Sequence, residues 1–167
     1  MAVDDVLDQI TRTYGSLDRP DFGLVAERLD QQPYRDLMES VAGQFEVEET
    51  TDPNDDHAFV YALSRDGRDW SLALSVVGPY AVLARTSDAW DEILTPTTPD
   101  LDEYERWLMY QLTRAGLRPL RREDLERPVG LALYNTGPGE VRVYHALVTD
   151  TPGLPWDKDE LRRLGLI

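Results

Sequence analysis

Two histidines, His57 and His145, are the only imidazoles in the chain, and no cysteine accompanies them. Histidine exchanges a proton near neutrality, so it is the first residue type to test for general-base or metal-ligand work. His145 shares strand parity with Val141, Val143 and Leu147, which reads as a satisfied interior histidine. His57 ends an acidic loop, where a surface histidine is expected. An enzyme built on His145 would need a carboxylate and a hydroxyl to meet it in one pocket. Ser75 and Ser87 have no histidine near them in sequence, and no Gly-x-Ser-x-Gly elbow, phosphate-cradling loop or Gly-x-Gly-x-x-Gly occurs. No catalytic residue is therefore assigned.

The run Asp52-x-Asn54-x-Asp56 imitates the start of a calcium loop. Its sixth position is His57 where the loop needs glycine, its twelfth is Leu63 where it needs glutamate, and Pro53 restricts it further. A solvated turn is the expectation, with no metal. Without thiolates, disulfides, iron–sulfur clusters and cysteine zinc sites are excluded, and no cofactor is expected.

Charge is the remaining signal. The chain carries 32 acidic against 17 basic residues, a formal charge of −15 over 167 residues. That balance disfavours nucleic acid and anionic membrane, because both are bound through Lys and Arg. Residues 1–57 hold 15 acids and 4 bases, so the first third carries most of the negative field. A field of this sign steers a basic protein partner within a screening length of about 8 Å at physiological salt. It also serves solubility alone in many proteins. The candidate partner contacts are Glu46, Glu48 and Glu49 on a half-exposed strand and Asp52, Asp55 and Asp56 in the loop after it. Trp90, in the acid-flanked loop Asp88-Ala-Trp-Asp-Glu, is the candidate apolar anchor, since tryptophan is enriched at interface hot spots. Trp156, between Pro155 and Asp157, reads more simply as a pin for its loop.

The elements that would position these residues form one α+β domain over 1–167, with an acidic helical part (1–43) and a sheet with packing helices (44–167). Hydrophobic residues at 41% and charged residues at 29% suit a folded chain of this length. Val3, Val6, Leu7, Ile10 and Tyr14 lie one helical turn apart, with Asp4, Asp5 and Asp8 at the positive end of the dipole. Further helices are expected from about Phe22 to Leu29 and from Pro33 to Gly43. Phe45 and Val47 alternate with glutamates as a short strand.

Asp66-Gly67 is a type I′ hairpin signal that pairs Leu63 with Trp70, Tyr61 with Leu72 and Phe59 with Leu74 on one face. A turn at Gly78-Pro79 then sets Leu74 opposite Leu83 and Val76 opposite Ala81, completing a meander of three to four antiparallel strands. Asp100 with Glu103 reads as a capping box for a central helix with Leu101, Tyr104, Leu108 and Leu112 on its stripe, widened by Trp107 and Tyr110. Residues 121–126 form one helical turn. Val129–Tyr134 and Val141–Val148 frame a C-terminal hairpin, and a short helix opens at Asp157.

This order of elements resembles that of type III secretion chaperones and the YbjN-type proteins: helix, meander, helix Leu101–Ala115, hairpin, terminal helix. The resemblance implies dimerisation and the holding of a partner segment in extended form. The chain departs from the pattern in its extra N-terminal helices, its Leu120–Pro128 segment and its short last helix.

No basic, apolar leader opens the sequence and no membrane-length apolar run follows, so a cytoplasmic location is expected. The expected function is non-enzymatic binding of a basic protein through an acidic surface, as an immunity-type inhibitor of a bacterial toxin or effector. A secretion-chaperone-like peptide binder is the alternative, and a small-molecule enzyme using His145 the last.

Overall fold

A computed structural model describes residues 2–167, with side chains from Asp5 onward; the expectations for Val3 and Asp4 lie outside the described side chains. Three helices come first: α1 (Ala2–Tyr14), α2 (Gly23–Gln31) and α3 (Arg35–Ala42). Val6, Ile10 and Tyr14 of α1 are buried, the stripe that the helical spacing predicts. The Tyr14 hydroxyl donates to the Ala146 carbonyl at 2.7 Å, so the helix is tied to the far end of the chain as well as packed.

The sheet follows as β1 (Glu46–Glu49), β2 (Ala58–Arg65), β3 (Arg68–Ser75), β4 (Tyr80–Thr86) and β5 (Trp90–Leu94), in that order and antiparallel throughout. The turn between β2 and β3 has positive φ at both Asp66 and Gly67, as a type I′ turn requires. Leu63 faces Trp70, Tyr61 faces Leu72 and Phe59 faces Leu74, the register read from the sequence.

The β3–β4 register differs from expectation by two residues. Leu74 faces Ala81 and Leu72 faces Leu83. A two-residue turn at Gly78-Pro79 does not form; residues 76–79 all belong to the connection. Its backbone is claimed by the N-terminal helices. The Val77 carbonyl accepts from Thr13 Oγ1 at 2.6 Å and Gln9 Nε2 at 3.1 Å, and Val76 from Arg28 at 2.7 Å. Gly78 permits this approach, since a Cβ there would lie 2.6 Å from Gln9 and from the Tyr80 ring. A slip of two preserves strand parity, so the large side chains stay on one face.

Trp90 to Leu94 form an edge strand where a loop was expected. The helix α4 (Glu103–Arg114) starts two residues later than read: Asp102 is its N-cap and Glu105 completes the capping box, while Asp100 sits at φ 63. Tyr110 does not widen the buried stripe; it is 61% exposed. The short β6 (Arg118–Pro119) runs parallel to β4, and α5 (Arg122–Leu125) supplies the expected helical turn.

The C-terminal hairpin is corrected. Among the described residues, its two segments are joined by the Pro128–Arg142 bridge and by the Val129 N–H to Val141 and Val143 N–H to Arg127 carbonyl bonds, with no longer ladder. Val143–Leu147 is a helix, α6, with all five residues buried. A short, wholly buried apolar run has no exposed face, so periodicity cannot separate strand from helix. The His145 Nδ1 accepts from the Arg142 N–H at 2.9 Å and favours the helical turn. The last helix, α7 (Lys158–Arg163), is capped by Asp157 accepting from the Glu160 N–H. Among the described residues, no helix is long and apolar enough to cross a membrane.

Candidate protein-binding surface

β1 is an edge of the sheet, with one neighbour, β2. The Thr50 N–H donates to the Val60 carbonyl at 2.7 Å, which fixes the alternation of the ladder. Residues 48 and 46 then share the inward hydrogen-bonding parity, and the N–H and C=O groups of Val47 and Glu49 point away from β2. Glu46, Glu48 and Glu49 are exposed, and none of them ion-pairs with a described residue. Beside the strand, an open hollow of about 580 Å³ is bounded by residues 42–46 and 64–67. Arg65 closes its rim by donating to the Gln44 carbonyl at 2.8 Å and lying over the Tyr104 ring.

The loop after β1 continues the acidic border, but its carboxylates also hold it together. Asp52 accepts from the Asn54 N–H at 3.0 Å, and Asp56 Oδ2 accepts from the Asp52 N–H at 2.7 Å. Asp55 accepts from Asn135 Nδ2 at 3.0 Å. Burial pushes the Asp56 carboxyl up, against the hydrogen bonds from Asp52 and Thr149. A bridge from Asp56 to Thr149 and the Asp150 N–H to Asp55 carbonyl bond stitch this loop to the chain after α6. Asp52, Asp55 and Asp56 thus stand together and next to β1.

His57 is buried rather than exposed, contrary to the surface expectation. Its ring stacks on Phe22, and its Nδ1 lies 2.9 Å from the His145 carbonyl. His145 is buried as expected, although on a helix. Its Nδ1 accepts from the Arg142 N–H, so its Nε2 is assigned the proton and donates to the Gly153 carbonyl at 2.8 Å. Burial lowers both imidazole pKa values, which keeps the rings neutral near pH 7. Ser75 is equally engaged: its Oγ donates to Leu147 and accepts from Val77. Among the described residues, no group of three or more His, Asp or Glu is placed to hold a metal ion.

Trp90 lies on the opposite edge strand, four strand spacings or about 19 Å from β1. It is half-buried, edge-on to Tyr144 at 5.7 Å and tilted against Trp156 at 6.4 Å. Trp90 therefore stands at the other edge of the sheet from the six acids.

Three features escape the sequence reading. Glu105 is fully buried beneath the sheet. It accepts from Arg85 Nε and Nη2 at 2.7 Å each, from Trp70 Nε1 at 2.9 Å, from the Asp102 N–H at 3.0 Å and from Arg68 at 3.2 Å. Burial alone would raise its pKa; the hydrogen bonds from Arg85 and Trp70 and the charges of Arg85 and Arg68 outweigh it and hold the carboxylate low. Arg85 on the core parity of β4, two residues after Leu83, was the available signal. Asp150, also buried, accepts from the backbone N–H groups of Tyr134, Asn135 and Thr136, each at 2.9 Å. That nest fixes the third feature, Tyr134, whose side chain is 88% exposed beside the acidic loop. Comparison of the chain with family models, with curated proteins and with solved structures finds no match.

Proposed function

We propose that this protein is a non-enzymatic binder of a basic protein, which docks along the border formed by β1 and the 52–57 loop. The observation that carries the reading is the set of exposed glutamates 46, 48 and 49, without an ion-pair partner among the described residues, on an open sheet edge next to Asp52, Asp55 and Asp56. Carboxylates so placed occupy positions where a basic toxin or effector would otherwise hold phosphate, the action of an immunity-type inhibitor. Acidity at the rim raises the association rate more than it deepens the complex, so binding is salt-sensitive. The engaged backbone bonds of His57, His145 and Ser75 support a binding role over catalysis. A cytoplasmic setting belongs to the same reading.

The outward N–H and C=O groups of Val47 and Glu49 favour a second reading, a secretion-chaperone-like protein that holds an extended, apolar partner segment against β1. Capture of partners from source-cell lysate at low and high salt tests the proposal, with the E46Q/E48Q/E49Q variant alongside. A basic protein retained at low salt, lost at high salt and lost by the variant is the expected result. Retention insensitive to both would favour the chaperone-like reading through apolar contacts. No retained protein under any condition would contradict both.

A further inference from the structure

We infer that the cleft between α2 and the 52–57 loop receives one lysine or arginine side chain of the partner that docks on the acidic border. The inference rests on the basic-partner reading and names what the partner inserts.

The cleft has a volume of about 260 Å³, below the roughly 300–1,000 Å³ of small-molecule pockets and suited to one long side chain. One wall is aliphatic, from Val25, Ala26 and Leu29 of α2. The other is aromatic. Phe22 stacks on His57 with ring centroids 5.9 Å apart and is tilted against Tyr134, also at 5.9 Å. Pro53, Asn54, Asp56 and Asp150 complete the lining, and among the described residues no Lys or Arg lines the cleft. A long basic side chain lays its methylenes on aliphatic surface and keeps its charged head at the mouth. Here that head meets the exposed Tyr134 ring and the Asp56 carboxylate, a cation–π contact reinforced by charge.

An anion would face the carboxylates unpaired, and a purely apolar side chain would desolvate Asp56 without compensation. Tyr134 is suited to anchoring because its backbone is already held in place. Its own N–H and those of the next two residues are already held by buried Asp150, yet its ring is left in solvent.

The test titrates the full chain with three blocked tripeptides, glycine–X–glycine with X as arginine, lysine or norleucine, and follows the ring protons of Tyr134 and Phe22 by NMR. Arginine and lysine peptides are expected to shift both rings saturably, and the norleucine peptide to leave them in place. Tyr134→Ala should weaken the arginine peptide about two- to fivefold, while Tyr134→Phe, which keeps the ring, should not. At 88% exposure neither change threatens the fold. Asp56→Asn should weaken binding as well, but Asp56 also braces its loop, so the tyrosine pair decides.

Equal shifts from norleucine, no shifts from any peptide, or binding indifferent to Tyr134→Ala would each overturn the inference. The β1 triple glutamine variant separates it from the function proposed above. Tripeptide binding that survives in a protein capturing no basic partner counts against the basic-partner reading and leaves the cleft's cation preference standing. Capture without tripeptide binding overturns the cleft.

Discussion

Replacing Glu105 with glutamine keeps the side chain's shape and removes the charge that two arginines share. The carboxylate takes five donors, two of them from Arg85 at 2.7 Å. A glutamine offers one oxygen, and its amide N–H₂ points donors at donors. Arg85 retains Glu92, at 2.7 Å on the more exposed side, but loses its fully buried partner. Removing one member of a buried ion pair costs about 3–5 kcal/mol, because the surviving charge is left uncompensated. For a domain of this size about 1 kcal/mol moves Tm by about 2–4 °C, so a fall of about 6–20 °C is expected.

Thermal unfolding followed by circular dichroism at pH 7 measures it. The pH dependence adds a second arm. The folded pKa of Glu105 is depressed, so the unfolded chain binds its proton first, and the stabilisation is present above the ordinary value of 4.5 and lost as pH falls through the folded value. Glu105→Gln should therefore lose most at pH 7 and progressively less as the buffer is acidified below about 4.5. A fall in Tm of less than about 2 °C at pH 7, or a deficit that grows on acidification, would refute the reasoning.

Three further expectations follow from single features. Asp150→Ala should release the nest at residues 134–136, so hydrogen exchange at those three amides should accelerate at least tenfold while β3 amides change far less; uniform acceleration would contradict a local role. Gly67→Val should destabilise the protein by about 1–2 kcal/mol in urea, because Gly67 sits at φ 76 in the β2–β3 turn; an unchanged midpoint would remove the type I′ assignment. His57 and His145 are held neutral by burial, so the unfolded chain gains protons first below about pH 6.5 and stability should decline there. Either ring titrating above 6.5 by NMR in the folded chain would contradict this.

What the sequence made legible is what neighbouring residues decide. Asp66-Gly67 and the alternation on both sides of it agree, so the β2–β3 register could be written down. Glu46 and Glu48 could be placed on the exposed face of a strand because Phe45 and Val47 take the inner parity. The β3–β4 register slipped because Thr13, Gln9 and Arg28 hold the 76–77 backbone from helices more than forty residues away. No local pattern records such a bond. Helix α6 was hidden because a buried run carries no period. Of the proposed surface, the acids are legible in the sequence, whereas the exposed Tyr134 is not, since its backbone is held by Asp150, sixteen residues further along the chain.

Hydrogen–deuterium exchange of the chain alone and with its captured basic partner reads the central claim at the strand that makes it. The account predicts new protection across residues 46–57, strongest at the outward-facing amides of Val47 and Glu49, with Trp90–Leu94 unchanged. Protection gained at Trp90–Leu94 with residues 46–57 unaltered would contradict it.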